Sequence, residues 1–144
     1  MFKQILIPTD FSPAAWKAVE VGLNLCDQYD CEISILHIYP VASKFSKESS
    51  HDDLLPKLDK VKEHMIKLSN DLKTDENTKI NNLVVPGNIE KQLMDFVNQH
   101  SFDLVIVGVN STGEDNSPGS HTAKLIEESR TPVLVIPNNY SPDV

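Results

Sequence analysis

Glycine is scarce in this chain, with 5 in 144 residues, and there are only 2 cysteines. Two thiols cannot build the cysteine framework of a small secreted fold, and Cys26 and Cys31 have no histidine at a metal-ligand spacing. A reducing cytosol is the simplest assignment. Positive charge is also short: 13 Lys and Arg stand against 21 Asp and Glu, for a formal net charge of -8. Binding to nucleic acid or to an anionic membrane needs clustered cations, so neither partner is expected. Long apolar runs are missing as well. The opening MFKQILIPTD is too short to be a signal core, and no later run approaches the roughly 20 residues of a membrane span.

What is present is a compact α/β pattern. Hydrophobic residues make up 40% of the chain, which suits one domain over residues 1–144 and leaves no room for a second core. QILIP, EISILHIY, INNLVV, DLVIV and PVLVI are nearly continuous apolar runs, as expected of parallel strands covered on both faces. Helical patterns separate them. Ser12 and Pro13 form an N-cap and first-turn pair, followed by Ala15, Val19, Gly22 and Cys26 at helical spacing. Leu54, Leu58, Val61, Met65, Leu68 and Leu72 form one long stripe, which covers a sheet or forms a short coiled-coil seam. Asn88 begins a third helix with Ile89, Leu93, Phe96 and Val97 inward. Gly119 or Ser120 opens a fourth, with Ala123 and Ile126 inward. The polar stretch ASKFSKESSHDD reads as a mobile loop, and its His51, Asp52 and Asp53 as solvated residues rather than metal ligands.

Alternating strands and helices with short connections imply an open parallel sheet with right-handed crossovers. Ligands of such sheets bind beyond the carboxyl ends of the strands, where the strand order reverses. The informative residues are then Pro8, Thr9 and Asp10 after the first strand, Tyr39 and Pro40 after the second, Pro86 to Asn88 after the third, and Gly108 onward after the fourth. A phosphoryl-accepting receiver domain is excluded, since PGN and PNN stand where it needs an Asp and a Lys. A dinucleotide fold is excluded too, because IPTDFSP contains no glycine.

ILIPTDFSPAAWKAVEVGLNL, ISILHIY, PGNIEKQLMDF, DLVIVG and GSHTAKLIEESRTPVLVIP resemble, in order and spacing, the universal stress protein family. The resemblance implies a five-stranded α/β domain of strand order 3-2-1-4-5 with helices on both faces, usually dimeric. Part of that family binds ATP between the first and fourth strand ends, and part does not. By the same resemblance, Asp10 after Pro8-Thr9 approaches the adenosine, the backbone around Ile38 frames the adenine, and Val107 lies against the base. Gly108 and the pair Gly119-Ser120, with Thr122, match the family's phosphate loop. The sequence departs in between: Ser111 replaces the second glycine, Gly113 lies two places late, and the linker is two residues short.

The loop can still cradle a phosphate through free first-turn amides at Gly119, Ser120, His121 and Thr122, and through an amide and hydroxyl of Ser111. Glu114 or Asp115 within ~4 Å of a phosphate oxygen would cost on the order of 1 to 4 kcal/mol, unless they hold a Mg²⁺ that bridges the phosphates. Both readings stand at this point. Asp10 likewise has two roles open to it, ligand contact or accepting amides near Ser12. His37 reads as a satisfied core histidine.

No catalytic set is visible, because Ser120 and His121 are adjacent on a helix and project apart. Weak incidental ATP hydrolysis is compatible with this, whereas an evolved turnover is not expected. The expected function is a cytoplasmic stress-response module that binds ATP or a related adenine nucleotide and acts as a regulatory dimer. The alternative is a nucleotide-free interaction module. The uncharged last strand, from Pro132 to Pro137, is the expected dimer edge, unless the tail NNYSPDV shields it.

Overall fold

The computed structural model describes residues 2–41, 51–73, 77–109 and 120–141, with side chains left aside at 51–53 and 120–122. The five strands are β1 (Gln4–Pro8), β2 (Glu32–Pro40), β3 (Lys79–Gly87), β4 (Leu104–Val109) and β5 (Val133–Pro137). Between them run α1 (Pro13–Tyr29), α2 (His51–Leu72), α3 (Ile89–Gln99) and α4 (Ser120–Glu128). The strands form one parallel sheet of order β3-β2-β1-β4-β5. The expected architecture is therefore the observed one.

The pleat explains why the strand sequences are continuously apolar. Alternate residues face opposite sides, and each side carries its own helical layer. Ile5, Ile7, Ile33 and Ile35 pack with Val19, Leu23 and Met65 from α1 and α2. Leu6, Leu36, Ile38, Val105 and Val107 pack with Leu93, Val97 and Leu125 from α3 and α4. Ile5, Leu6 and Ile7 are all fully buried, so β1 is the axis of the molecule. Burying each such side chain contributes about 1.5–3 kcal/mol before chain entropy is subtracted.

Local capping sets where the helices begin. Ser12 is extended and its hydroxyl accepts from the Ala15 amide at 3.2 Å, ahead of Pro13. Asn88 does the same for α3, with Oδ1 accepting from the Lys91 amide at 2.9 Å. Both caps follow a strand end, so the free first-turn amides of α1 and α3 lie beside the carboxyl edge of the sheet. Gly87 enters the second cap with φ 140°, a conformation in which side-chain-bearing residues are strained.

Three expectations need correction. His51, Asp52 and Asp53 belong to the first turn of α2 rather than to the preceding loop, so the amphipathic pattern starts earlier than its apolar stripe. In α4, Leu125 is the buried residue and Ile126 is 49% exposed. One residue along a helix is a rotation of 100°, so seating Leu125 on the sheet necessarily turns Ile126 outward. Finally, Cys26 and Cys31 form a disulfide across the α1–β2 turn. Composition missed it because the pairing depends on Asp30, whose left-handed φ of 54° reverses the chain between the two sulfurs.

Candidate functional site

The carboxyl ends of β1, β2 and β4 enclose a cleft of about 320 Å³. Its existence follows from the strand order. Leaving β1, the chain turns to one side of the sheet into α1, whereas α3 and α4 lie on the other side, so the loops diverge above β1 and β4. Pro8, Thr9, Asp10, Ile38, Val107 and Gly108 all line the cleft. Pro40, also singled out as a strand-end residue, lines it with them. Ser111 and Gly119 lie outside the described residues, as do Glu114 and Asp115. Ser120, His121 and Thr122 form the first turn of α4.

The β1–α1 loop is held by a short chain of bonds. The Thr9 amide donates to the Leu36 carbonyl at 2.8 Å, and Thr9 Oγ1 accepts from the Phe11 amide at 3.1 Å. Asp10 Oδ1 accepts from the Ser12 amide at 2.9 Å. The local role considered for Asp10 is therefore realised, but it occupies one carboxylate oxygen only. No protein partner engages Oδ2 among the described residues.

Phe11 takes a left-handed φ of 66°, which a non-glycine residue holds only when its surroundings compensate. Its ring supplies that compensation, lying 4.7 Å from the His37 ring, 5.4 Å from His64 and 6.2 Å from Trp16. His37 Nδ1 is 2.9 Å from the Thr9 carbonyl oxygen, so the imidazole is hydrogen-bonded as a core histidine should be, yet it also lines the cleft. Its contribution to the wall was not read from the sequence. An available signal was its place one residue before Ile38 on the same strand end.

The remaining walls are apolar. Ile89 and Leu93 of α3 and Leu125 of α4 line the cleft opposite the β1–α1 loop. Ile89 and Leu93 have the inward spacing of core residues, and such a stripe at a helix start serves both core and cleft. The rim beyond them is tied by Lys124 Nζ, 2.8 Å from Glu90 Oε1, which joins α4 to α3. The Glu90 hydrogen bond and charge hold the Lys124 ammonium above its ordinary range.

Gly108 has a role that the motif did not reveal. A Cβ there would stand 2.0 Å from the Ala14 carbonyl oxygen and 2.9 Å from the Ala15 nitrogen. Backbone cannot yield as a flexible side chain can. The glycine is needed for the end of β4 to approach the start of α1, whatever the cleft contains. Among the described residues no group of three or more His, Cys, Asp or Glu is gathered for a metal.

Chemically, the arrangement is a slot with apolar walls and one unengaged carboxylate oxygen on Asp10. It suits a flat ring bearing a hydroxylated substituent. Asp10 Oδ1 and His37 Nδ1 are each bonded to the backbone, which fixes how both side chains stand in the cleft.

Residues 1–137 match the Universal stress protein family. Universal stress protein MJ0531 of Methanocaldococcus jannaschii is 24% identical over 140 residues, covering 94% of this chain and 82% of that protein. The structure of the protein MJ0577 superimposes with a TM-score of 0.76 at 28% identity, over 98% of this chain and 99% of that one. Two structures of the same fold carry adenine nucleotides. One is a universal stress protein in complex with cAMP, with TM-score 0.68, 18% identity and coverage of 94% and 97%. The other is an Arabidopsis thaliana family protein with AMP bound, with TM-score 0.63, 15% identity and coverage of 98% and 94%. With the sheet order, the carboxyl-end cleft and the match over residues 1–137 in agreement, the chain belongs to the universal stress protein family.

Proposed function

We propose that this protein binds an adenine nucleotide in the cleft at the ends of β1 and β4 and serves as a regulatory module in a stress response. The observation that carries the reading is the cleft itself. Asp10, Ile38 and Val107 converge on a space of about 320 Å³, at the small end of the range for ligand sites. The base would lie between Val107 and the Ile89–Leu93 wall, and Asp10 Oδ2 would accept from a ribose hydroxyl. The cAMP and AMP complexes of proteins of the same fold support an adenine nucleotide as the class of ligand. ATP is the fuller ligand proposed. Its phosphates would meet the start of α4, where Ser120, His121 and Thr122 have first-turn amides, with Mg²⁺ as a companion ion.

No turnover is proposed beyond incidental hydrolysis of a bound ATP. The module would act as a homodimer through the segment from Pro132 to Pro137, since β5 is a sheet edge and Leu134 on it is 38% exposed. The cytoplasm is the proposed location. The Cys26–Cys31 disulfide weighs against the composition argument for it, because such bonds are uncommon in reducing compartments. No helix among the described residues is long and apolar enough to cross a membrane.

A specific observation also favours the second reading, a nucleotide-free interaction module on the same fold. Gly108 has a packing reason to be glycine, so its presence is not evidence for a phosphate loop. The two readings part on one experiment. Purified protein is denatured and any released nucleotide identified by chromatography, and stripped protein is then melted with AMP or with ATP and Mg²⁺. Released adenine nucleotide, or a melting temperature that rises with nucleotide concentration, supports binding. No nucleotide and no stabilisation at millimolar concentration would leave the interaction module.

A further inference from the structure

At the amino ends of the strands, away from the cleft, the α3 side of the sheet holds a second concavity of about 620 Å³. Its floor lies on the face of the sheet that carries core leucines further along the strands. Gln4, Ser34 and Asn81 sit two residues before Leu6, Leu36 and Leu83, so the pleat turns them to the same side as those core leucines. Gln4 is in register with Glu32, and Ser34 with Leu6 and Asn81, so polar residues of two successive rows edge that face of the core.

Their hydrogen bonds leave polar atoms open to the concavity. Ser34 is 6% exposed, and its hydroxyl, which has no protein partner among the described residues, opens on the concavity. Gln4 Nε2 donates to Glu32 Oε2 at 3.0 Å, and Asn81 Nδ2 donates to Glu32 Oε1 at 2.6 Å. Each amide nitrogen spends one of its two N–H groups on Glu32, so each side chain keeps its carbonyl oxygen as an acceptor and one N–H as a donor. The Asn81 and Gln4 bonds also hold the Glu32 carboxyl below its ordinary range, so a negative charge stands beside the floor.

The wall is aromatic. His100 stacks on Phe96 at 4.1 Å and 19°, and Phe102 lies 5.8 Å from Phe96 at 23°. A bond of 3.0 Å between His100 Nδ1 and the Phe96 carbonyl oxygen fixes the imidazole. Acceptors on the floor, an anion beside them and ring faces on the wall define complementary chemistry.

We propose that this concavity binds a small planar cation bearing N–H donors, of the aryl-amidine or amino-heteroaromatic class. Its ring lies against the Phe96, His100 and Phe102 wall, and its N–H groups reach Ser34 Oγ and the amide oxygens of Gln4 and Asn81. The site is independent of the nucleotide reading, and a net charge of -8 favours a cationic occupant.

The test is a titration of the ¹⁵N-labelled full chain with benzamidinium chloride, followed by amide correlation spectra. The expected result is a saturable shift at Ser34, at Asn81 and across residues 96–102, with Thr9 and Asp10 unmoved and added AMP without effect. Ser34→Ala removes a hydroxyl that bonds nothing, and Asn81→Leu alters an exposed position, so both should fold. Each should weaken binding by roughly five-fold or more. The proposal is overturned by an absence of saturable shift, by shifts that centre on the Asp10 cleft and vanish with AMP, or by unchanged affinity in both folded variants.

Discussion

Gly108 and Ala14 stand in backbone contact, with the position of a Cβ on Gly108 only 2.0 Å from the Ala14 carbonyl oxygen. This approach lets the end of β4 lie against the first turn of α1, and it brings Val107 and Asp10 to opposite sides of one cleft. Gly108→Ala must push these elements apart or fail. A loss of about 3 kcal/mol or more is expected, at the upper end of overpacking costs, measured by urea denaturation without any nucleotide present. Wild-type stability in that variant would contradict the packing role and return the glycine to the phosphate loop.

Asp103 ties the start of β1 to the strand beside it. Its Oδ2 accepts from the Gln4 amide at 2.9 Å and the Lys3 amide at 2.8 Å, and these bonds, Gln4 first, hold its carboxyl below the ordinary value. A depressed folded-state value contributes stability that is present above the unfolded value, about 4, and is lost as pH falls through the folded one. Asp103→Asn should therefore melt below wild type at pH 7, with the gap closing as pH falls below about 4. A gap of constant size across that range would show that the charge is not what matters.

Leu134 tests the edge. It is 38% exposed on a strand with no neighbour on its outer side, where an uncharged edge invites pairing. Light scattering should find a dimer in the wild type at micromolar concentration and a monomer in Leu134→Lys. A wild-type monomer throughout that range would sink the proposed assembly.

Much of this architecture could be read from residue patterns, because each strong signal was local. Ser12-Pro13 and Asn88 are caps whose bonds span three residues, and the strands are apolar because both faces are covered. What escaped depended on three-dimensional placement. Leu125 and Ile126 are adjacent, and only the seating of α4 decides which is buried. The Cys26–Cys31 bond required the left-handed turn at Asp30. In the cleft, Pro8, Thr9, Asp10, Ile38, Val107 and Gly108 were legible, whereas His37 and Leu125 entered it through strand and helix geometry that no motif records.

The central claim is that Asp10 Oδ2 and the apolar slot beside Val107 hold the adenosine part of a nucleotide. Calorimetric titration of nucleotide-stripped protein with AMP, beside Asp10→Ala, tests it most directly. A charge-assisted hydrogen bond removed at this position should weaken binding by roughly 10- to 100-fold while the fold remains intact. Equal affinity in the two proteins, or no heat from either at millimolar AMP, would contradict the claim.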